Sequence, residues 1–505
     1  MRHFQVVNVP EPTEETLTLI FESILGGFFN FKKANERLKP SVAVQATIEM
    51  YLQIIRTMLP IPAKFHYTFN LRDVAKVFQG ILMCEPYKIA DDDKYAKLWL
   101  HECTRVFADR LCSKEDIEEF QAIACDILQM KFKVKWSKPE EAFGPGKEIV
   151  FSNILTLESE TQYYELIENK EKLLQSLHEK LGNYNLSSPS KMDLVFFEDA
   201  VRHVMSIMRI LMQPRGNAML IGVSGSGKQS LTTLAAFILE QTSFQVKLSK
   251  NFDPTKFREQ LKEKMLIAGC EEKATTFILN DTQIMYESFL EDINNILNTG
   301  DITGLYEPAD VARMAECMAP ILTKKKIPVN RDNIKQGYVE SLRDHFHIML
   351  CMSPVGELLR VRSRMFPSLI NCCTLDWFDS WPYEALVSVA NQFLRRIPDN
   401  ELSSKQKESL SEMFPIVHKS VEKAADMFHL ELRRKTYVTP KSFLDGINLY
   451  LTNLQEVQNN HNDQVKRLST GINNLKRTTE QIAELQVTLT NLRPKLNEQT
   501  ESAQQ

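Results

Sequence analysis

Glycine is the first scarcity, with 17 residues in 505 where about 7% is usual. A chain so poor in the residue that tight turns demand is expected to be mainly helical rather than a meander of short strands. Cysteine occurs nine times, yet no two are spaced as CxxC. That excludes a zinc ribbon or a disulfide framework and points to a reducing compartment such as the cytosol. Long apolar runs are missing as well: none reaches the ~18–20 residues of a membrane span. The opening MRHFQVVNVPEPTEE holds no apolar signal core. Charge of one sign is also lacking. The net charge of −4 gives no bulk attraction to nucleic acid or to an acidic membrane. What remains is 43% hydrophobic and 25% charged, enough for about three units of ~100–200 residues.

Four of the few glycines, Gly216, Gly222, Gly225 and Gly227, crowd into one short stretch, which marks a place where backbone must approach something closely. Around it the chain divides by pattern. Residues 1–135 begin with an apolar run, Phe4–Val9, that reads as a strand, followed by helices near 13–24, 40–59, 71–84, 94–112 and 114–130. A lone strand has no sheet to join, so the sequence is expected to begin partway into a unit. Residues 136–395 alternate apolar runs with helical stretches. The runs Asn217–Gly222, Phe244–Leu248, Thr275–Asn280, Ile348–Met352 and Asn371–Leu375 predict an α/β fold with a parallel sheet covered on both faces. Residues 396–455 turn helical. From 456 onward, apolar residues at 465, 468, 472, 475, 482, 485, 489, 492 and 496 fall mostly in 3-and-4 steps. That is a coiled-coil stripe, which needs a partner strand. Two helix-opening segments, starting at Tyr67 and Tyr437, echo each other and suggest two copies of one kind of module.

The segment Gly222-Val223-Ser224-Gly225-Ser226-Gly227-Lys228 lies between a predicted strand and a predicted helix. In that setting its backbone N–H groups and the helix dipole cradle phosphate, and Lys228 reaches the β- and γ-phosphates. A working loop of this kind places Ser or Thr next, to hold Mg²⁺. Here Gln229 stands there and Ser230 follows, so metal binding is expected to be weak. About fifty residues on, Thr275–Asn280 ends at Asp281, a carboxylate suited to the metal. Thr282 then occupies the place of the Glu that polarises water, and it cannot act as a base near neutral pH. Glu287 is the nearest other acid. Ser353, at the end of another apolar run, is a candidate sensor of the γ-phosphate. Arg360, Arg362 and Arg364 form either a solvated face or a source of charge for a neighbour's phosphate.

Further segments carry a resemblance: Leu98–Leu111, Gly216–Leu231, Asn280–Ile284, Ser288–Gly300 and Leu375–Pro382. Together these stretches resemble the motor region of dynein heavy chains, and axonemal dyneins in particular. The resemblance implies AAA+ modules arranged in a ring. Residues 1–135 would be the end of the third module without its P-loop. A fourth module would follow, with its large P-loop subdomain at 136–395 and its small helical subdomain at 396–455. Residues 456–505 would be the outgoing stalk helix. It further implies Arg364, or else Arg362, as a finger toward the third module's nucleotide, and Arg72 and Lys441 at second-sensor positions. Expected ligands are ATP or ADP with weak Mg²⁺ at Asp281 and Gln229. Expected partners are the rest of the heavy-chain ring, the returning stalk helix, other dynein chains and, only through parts not among these residues, microtubules, in the cytoplasm and the ciliary axoneme. A stand-alone motor is excluded. Three roles stay open for the site: regulatory binding with little turnover, an active ATPase, and a structural spacer between ring and stalk.

Overall fold

The computed structural model describes the chain except residues 1–4, 6, 11, 33–37, 90, 135, 137–138, 145–147, 158, 160, 249–251, 399–401, 435 and 504–505. It forms two compact units, residues 1–392 and 393–505.

The first unit opens with five helices, all but the second started by a side-chain cap. Thr13 caps α1 (Glu14–Phe31), whose Leu17, Phe21, Leu25 and Phe29 recur every fourth residue and are buried. α2 (Pro40–Thr57) follows. Asn70 and Asp73 form a capping box at α3 (Leu71–Ile81), Asp91 caps α4 (Asp92–Cys103), and Ser113 caps α5 (Lys114–Ile127). α4 and α5 each run into a π-helical turn, Thr104–Ala108 and Leu128–Phe132. The strand expected at Phe4–Val9 does not form over its described residues: Val7 and Val9 are exposed, with no neighbouring strand to pair. Phe4 and Val6 lie outside the described residues.

A two-residue hairpin, β1 (Phe151–Ser152) with β2 (Glu165–Leu166), precedes the main sheet. That sheet has five parallel strands: β3 (Ala218–Gly222), β4 (Thr242–Gln245), β5 (Thr275–Asn280), β6 (Phe346–Met352) and β7 (Thr374–Phe378). Their order is β4-β5-β6-β3-β7. β5 shows why the strands read as continuous apolar runs. Phe277 and Leu279 enter the core beside Phe257 and Tyr338, while Ile278 enters the opposite core beside Val204 and Leu234. Three strands start two or three residues away from the sequence expectation, β6 at Phe346 rather than Ile348. β4 starts earlier, at Thr242, whose N–H bonds Ala274 O. β7 starts later because residues 368–371 form a short helix, and Thr374 N–H bonds Asn217 O at 2.7 Å beside β3.

β3 is flanked by β6 and β7, whereas the next strand in sequence, β4, lies at the far edge. The connection from β3 runs to β4 on one side and that from its neighbour β6 runs to β7 on the other, and a crevice opens at the carboxyl end of β3, where ligands bind in open α/β sheets. α1–α5 pack onto this half of the molecule through buried polar contacts. Arg209, on the helix Glu198–Met212, grips Glu102 of α4, with its Nε 2.7 Å from Oε2. Tyr164 donates to the other oxygen of Glu102 at 2.7 Å. His66 stacks on Trp377 of β7, and Lys76 donates to Cys373 O. All nine cysteines are free thiols.

In the second unit, Ser403 and Gln406 form the capping box of the helix Ser404–Leu432, which ends at Arg433 in the left-handed conformation. It meets the helix Pro440–Ala503 through Phe414 on Tyr450 and His418 on Phe443. That last helix runs 64 residues with no break near 456. Its stripe, Val465, Leu468, Ile472, Leu475, Ile482, Leu485, Leu489, Leu492 and Leu496, is exposed throughout. No helix among the described residues is long and apolar enough to cross a membrane.

Candidate nucleotide site

The glycine loop sits in the crevice at the end of β3. Gly225 and Gly227 adopt φ of 81° and 92°, a left-handed conformation that a side chain would strain. Gly222 has no room for one either, since a Cβ there would stand 2.6 Å from Phe378. Gly227 is the N-cap of the helix Lys228–Ile238, so the loop's free N–H groups and the helix's positive end face the same space. Lys228 Nζ curls into that space and donates to Gly222 O at 2.7 Å, Val223 O at 2.8 Å and Ser226 Oγ at 3.2 Å. Burial pushes the lysine below its ordinary pKa, opposed by Cys351 and the Asp281 carboxylate. A phosphate entering the loop supplies the anion this ammonium lacks.

Val223 and Ser224 lie in the loop, with Ser224 and Gly225 exposed, and Ser230 lies in the first turn of the helix. Gln229 does not stand free. Its Nε2 donates to Gln245 Oε1 on β4 at 3.0 Å, and its Oε1 accepts from Asn280 Nδ2 at the end of β5 at 2.8 Å. Asp281 is the first residue of the short turn Asp281–Gln283, and its Oδ1 accepts the N–H of Thr282. Thr282 is exposed. Ser353 lies one residue past β6 and accepts from Val355 N–H. Glu287, the alternative acid, opens the helix Glu287–Thr299 and is held by Arg362 Nε and Nη2 at 3.1 and 3.0 Å. Lys441 lies in the second unit, near the start of its long helix.

The two candidate fingers therefore differ. Arg362 is committed to Glu287. Arg364 has no ion pair or hydrogen bond among the described residues, and lines a cavity of 320 Å³ with Pro62, Phe65, Thr68 and Asn371. A neighbouring cavity of 340 Å³ is lined by Arg72, Lys76, Arg215 and Arg343. Arg343 is pushed below its ordinary pKa by burial and by Arg215 and Arg72 nearby.

Asn280 and Gln245 were not singled out from sequence. An amide closing an apolar strand reads as a turn residue, and only the fold brings it across to the residue after the P-loop lysine.

A glycine loop between β3 and its helix, in a five-stranded parallel sheet with a helical unit beyond, defines a P-loop module of the AAA+ class. A family profile described as "P-loop containing dynein motor region D4" matches residues 192–453, and one described as "AAA+ lid domain" matches 43–135. The chain belongs to the axonemal dynein heavy-chain family, as a motor-region AAA+ segment. It is 39% identical to human dynein axonemal heavy chain 1 over 99% of this chain and 12% of that protein. It is 39% identical to human dynein axonemal heavy chain 6 over 100% of this chain and 12% of that one. Against the Chlamydomonas reinhardtii dynein-1-beta heavy chain of the flagellar inner arm I1 complex, identity is 36% over 95% of this chain and 11% of the other. The chain thus spans about an eighth of the length of these relatives. P-loop motor regions of this kind bind nucleotide, generally with Mg²⁺.

Proposed function

We propose that this segment is a nucleotide-binding regulatory module of an axonemal dynein heavy chain, holding ATP or ADP with little hydrolysis of its own. In that role it serves a microtubule motor that moves cilia. The observation that carries this reading is Lys228, buried in its glycine loop and bonded only to neutral oxygens, which a bound phosphate would neutralise. Low turnover follows from the acids nearby. Thr282 is no base, and Glu287 is engaged by Arg362. An active ATPase would need Glu287 released, or a group from a neighbour, to orient water, and a structural spacer would leave Lys228 without its anion.

Arg364 is the finger toward the nucleotide of the preceding module, since Arg362 is occupied. Arg72 serves that same preceding site. The long helix with its exposed stripe fits an outgoing stalk strand whose partner is a returning helix. The rest of the heavy chain and other dynein chains complete the assembly at the axoneme.

The test is nucleotide affinity and single-turnover hydrolysis on the 505-residue chain, beside Lys228→Ala. Binding without turnover, lost in the variant, supports a regulatory module. Rapid turnover lost in Lys228→Ala makes it an ATPase, and absence of binding leaves the spacer.

A further inference from the structure

In a P-loop site, two protein groups converge on the metal: the hydroxyl after the lysine and a carboxylate closing the neighbouring strand. Here the two side chains that converge are Gln229 and Asn280, 2.8 Å apart. Asn280 is the last residue of β5; Asp281, the carboxylate expected for the metal, is one residue beyond it and already in the following turn.

Asn280 and Gln283 form a capping box at this turn, in which the Gln283 side chain accepts the N–H of Asn280 at 2.9 Å. The Asn280 amide presents its NH₂ to Gln229. Gln229 answers with its own oxygen and turns its NH₂ to Gln245. Three amides thus form one chain across the loop helix, β4 and β5. A hard divalent cation needs oxygen ligands. It would meet an NH₂ at Asn280, and at Gln229 an oxygen already bonded. The donor set does not fit Mg²⁺.

We propose that Asn280 occupies the place of the metal-binding carboxylate, and that the Gln245–Gln229–Asn280 amide chain makes this a site for nucleotide free of divalent cation. The proposal rests on the reading of the glycine loop as a nucleotide site. It assigns the neutralisation of the phosphates to Lys228 and the loop N–H groups, and frees Asp281 from the metal.

The experiment titrates the full chain calorimetrically with the β,γ-imido analogue of ATP, once in EDTA and once in Mg²⁺. Native chain, Asn280→Asp and the double variant Gln229→Thr/Asn280→Asp are compared, with Lys228→Ala as the control for the loop. The expected result is that native affinity is the same in both buffers, while the double variant binds roughly tenfold more tightly with Mg²⁺ than in EDTA. A native chain that itself loses roughly tenfold in EDTA overturns the proposal and leaves the nucleotide site standing. A native chain that binds in neither buffer overturns the nucleotide reading and the proposal with it. Should the double variant fail to fold, the native comparison and the isosteric Asn280→Asp decide.

Discussion

Gly80 stands where α3 passes over the Glu102–Arg209 pair, and a Cβ there would lie 1.6 Å from Glu102 Oε2 and 2.8 Å from an Arg209 terminal nitrogen. Glu102 is 0% and Arg209 1% exposed, so neither can swing into water to make room. Gly80→Ala would gain about 1 kcal/mol from helix propensity. It must also displace the carboxylate from its guanidinium, and separating a buried pair costs about 3–5 kcal/mol. The net expectation is a loss of about 2–4 kcal/mol. Gly182 supplies the matched control: it lies in the helix Lys170–Ser187 with nothing within 4 Å of an added Cβ, so Gly182→Ala should stabilise by about 0.5–1 kcal/mol. Urea unfolding followed by tryptophan fluorescence measures both, because Trp99, Trp136, Trp377 and Trp381 all lie in the first unit. Trp99 is wholly buried one helical turn from Glu102. If Gly80→Ala proves as stable as Gly182→Ala, the pair is not the tight, dry contact described.

Lys228→Ala should abolish nucleotide binding, checked by calorimetric titration, and leave the unfolding curve close to that of the native chain. Thr282→Glu alone should restore little turnover in a single-turnover assay, because Gln229 and Asn280 remain amides. Buried His66 bonds Arg110 O at 3.0 Å, and burial followed by the Arg110 charge pulls its pKa from the ordinary 6.5 to about 4. Its folded pKa lies below its unfolded one, so its contribution is complete above pH 6.5 and is lost as pH falls toward 4. The loss is about 3 kcal/mol at most, and His66→Gln should flatten that slope in urea unfolding. A peptide of residues 456–505 should be poorly helical by circular dichroism until a partner strand is added, since its apolar stripe is exposed. Stable helix in the isolated peptide would count against a paired stalk.

Sheet and loop were legible because their signals are local. An apolar run buried on both faces looks the same in sequence as in space, and Gly225 and Gly227 announce the left-handed turns they adopt. Strand ends were less legible. β7 begins at Thr374 rather than Asn371 because its start is set by pairing with Asn217, a residue far away in sequence. The same limit hid Asn280. It closes β5 in a capping box with Gln283, and it matters because Gln229 lies opposite. Arg362 and Arg364 could not be ranked from spacing two residues apart. The ion pair to Glu287, 75 residues away, separates them.

The buried Glu102–Arg209 pair also bears on where such chains can be recombined. The family profiles draw a boundary between the lid at 43–135 and the P-loop region from 192, which invites a chimera joined between them. That cut would leave a carboxylate on one parent facing a guanidinium from the other, with Tyr164, Gly80 and His66 chosen for partners they no longer meet. A junction near 392, where one compact unit ends, carries the whole set together. Grafts made there should inherit a finished interior, whereas those made near 136 would have to evolve a new one.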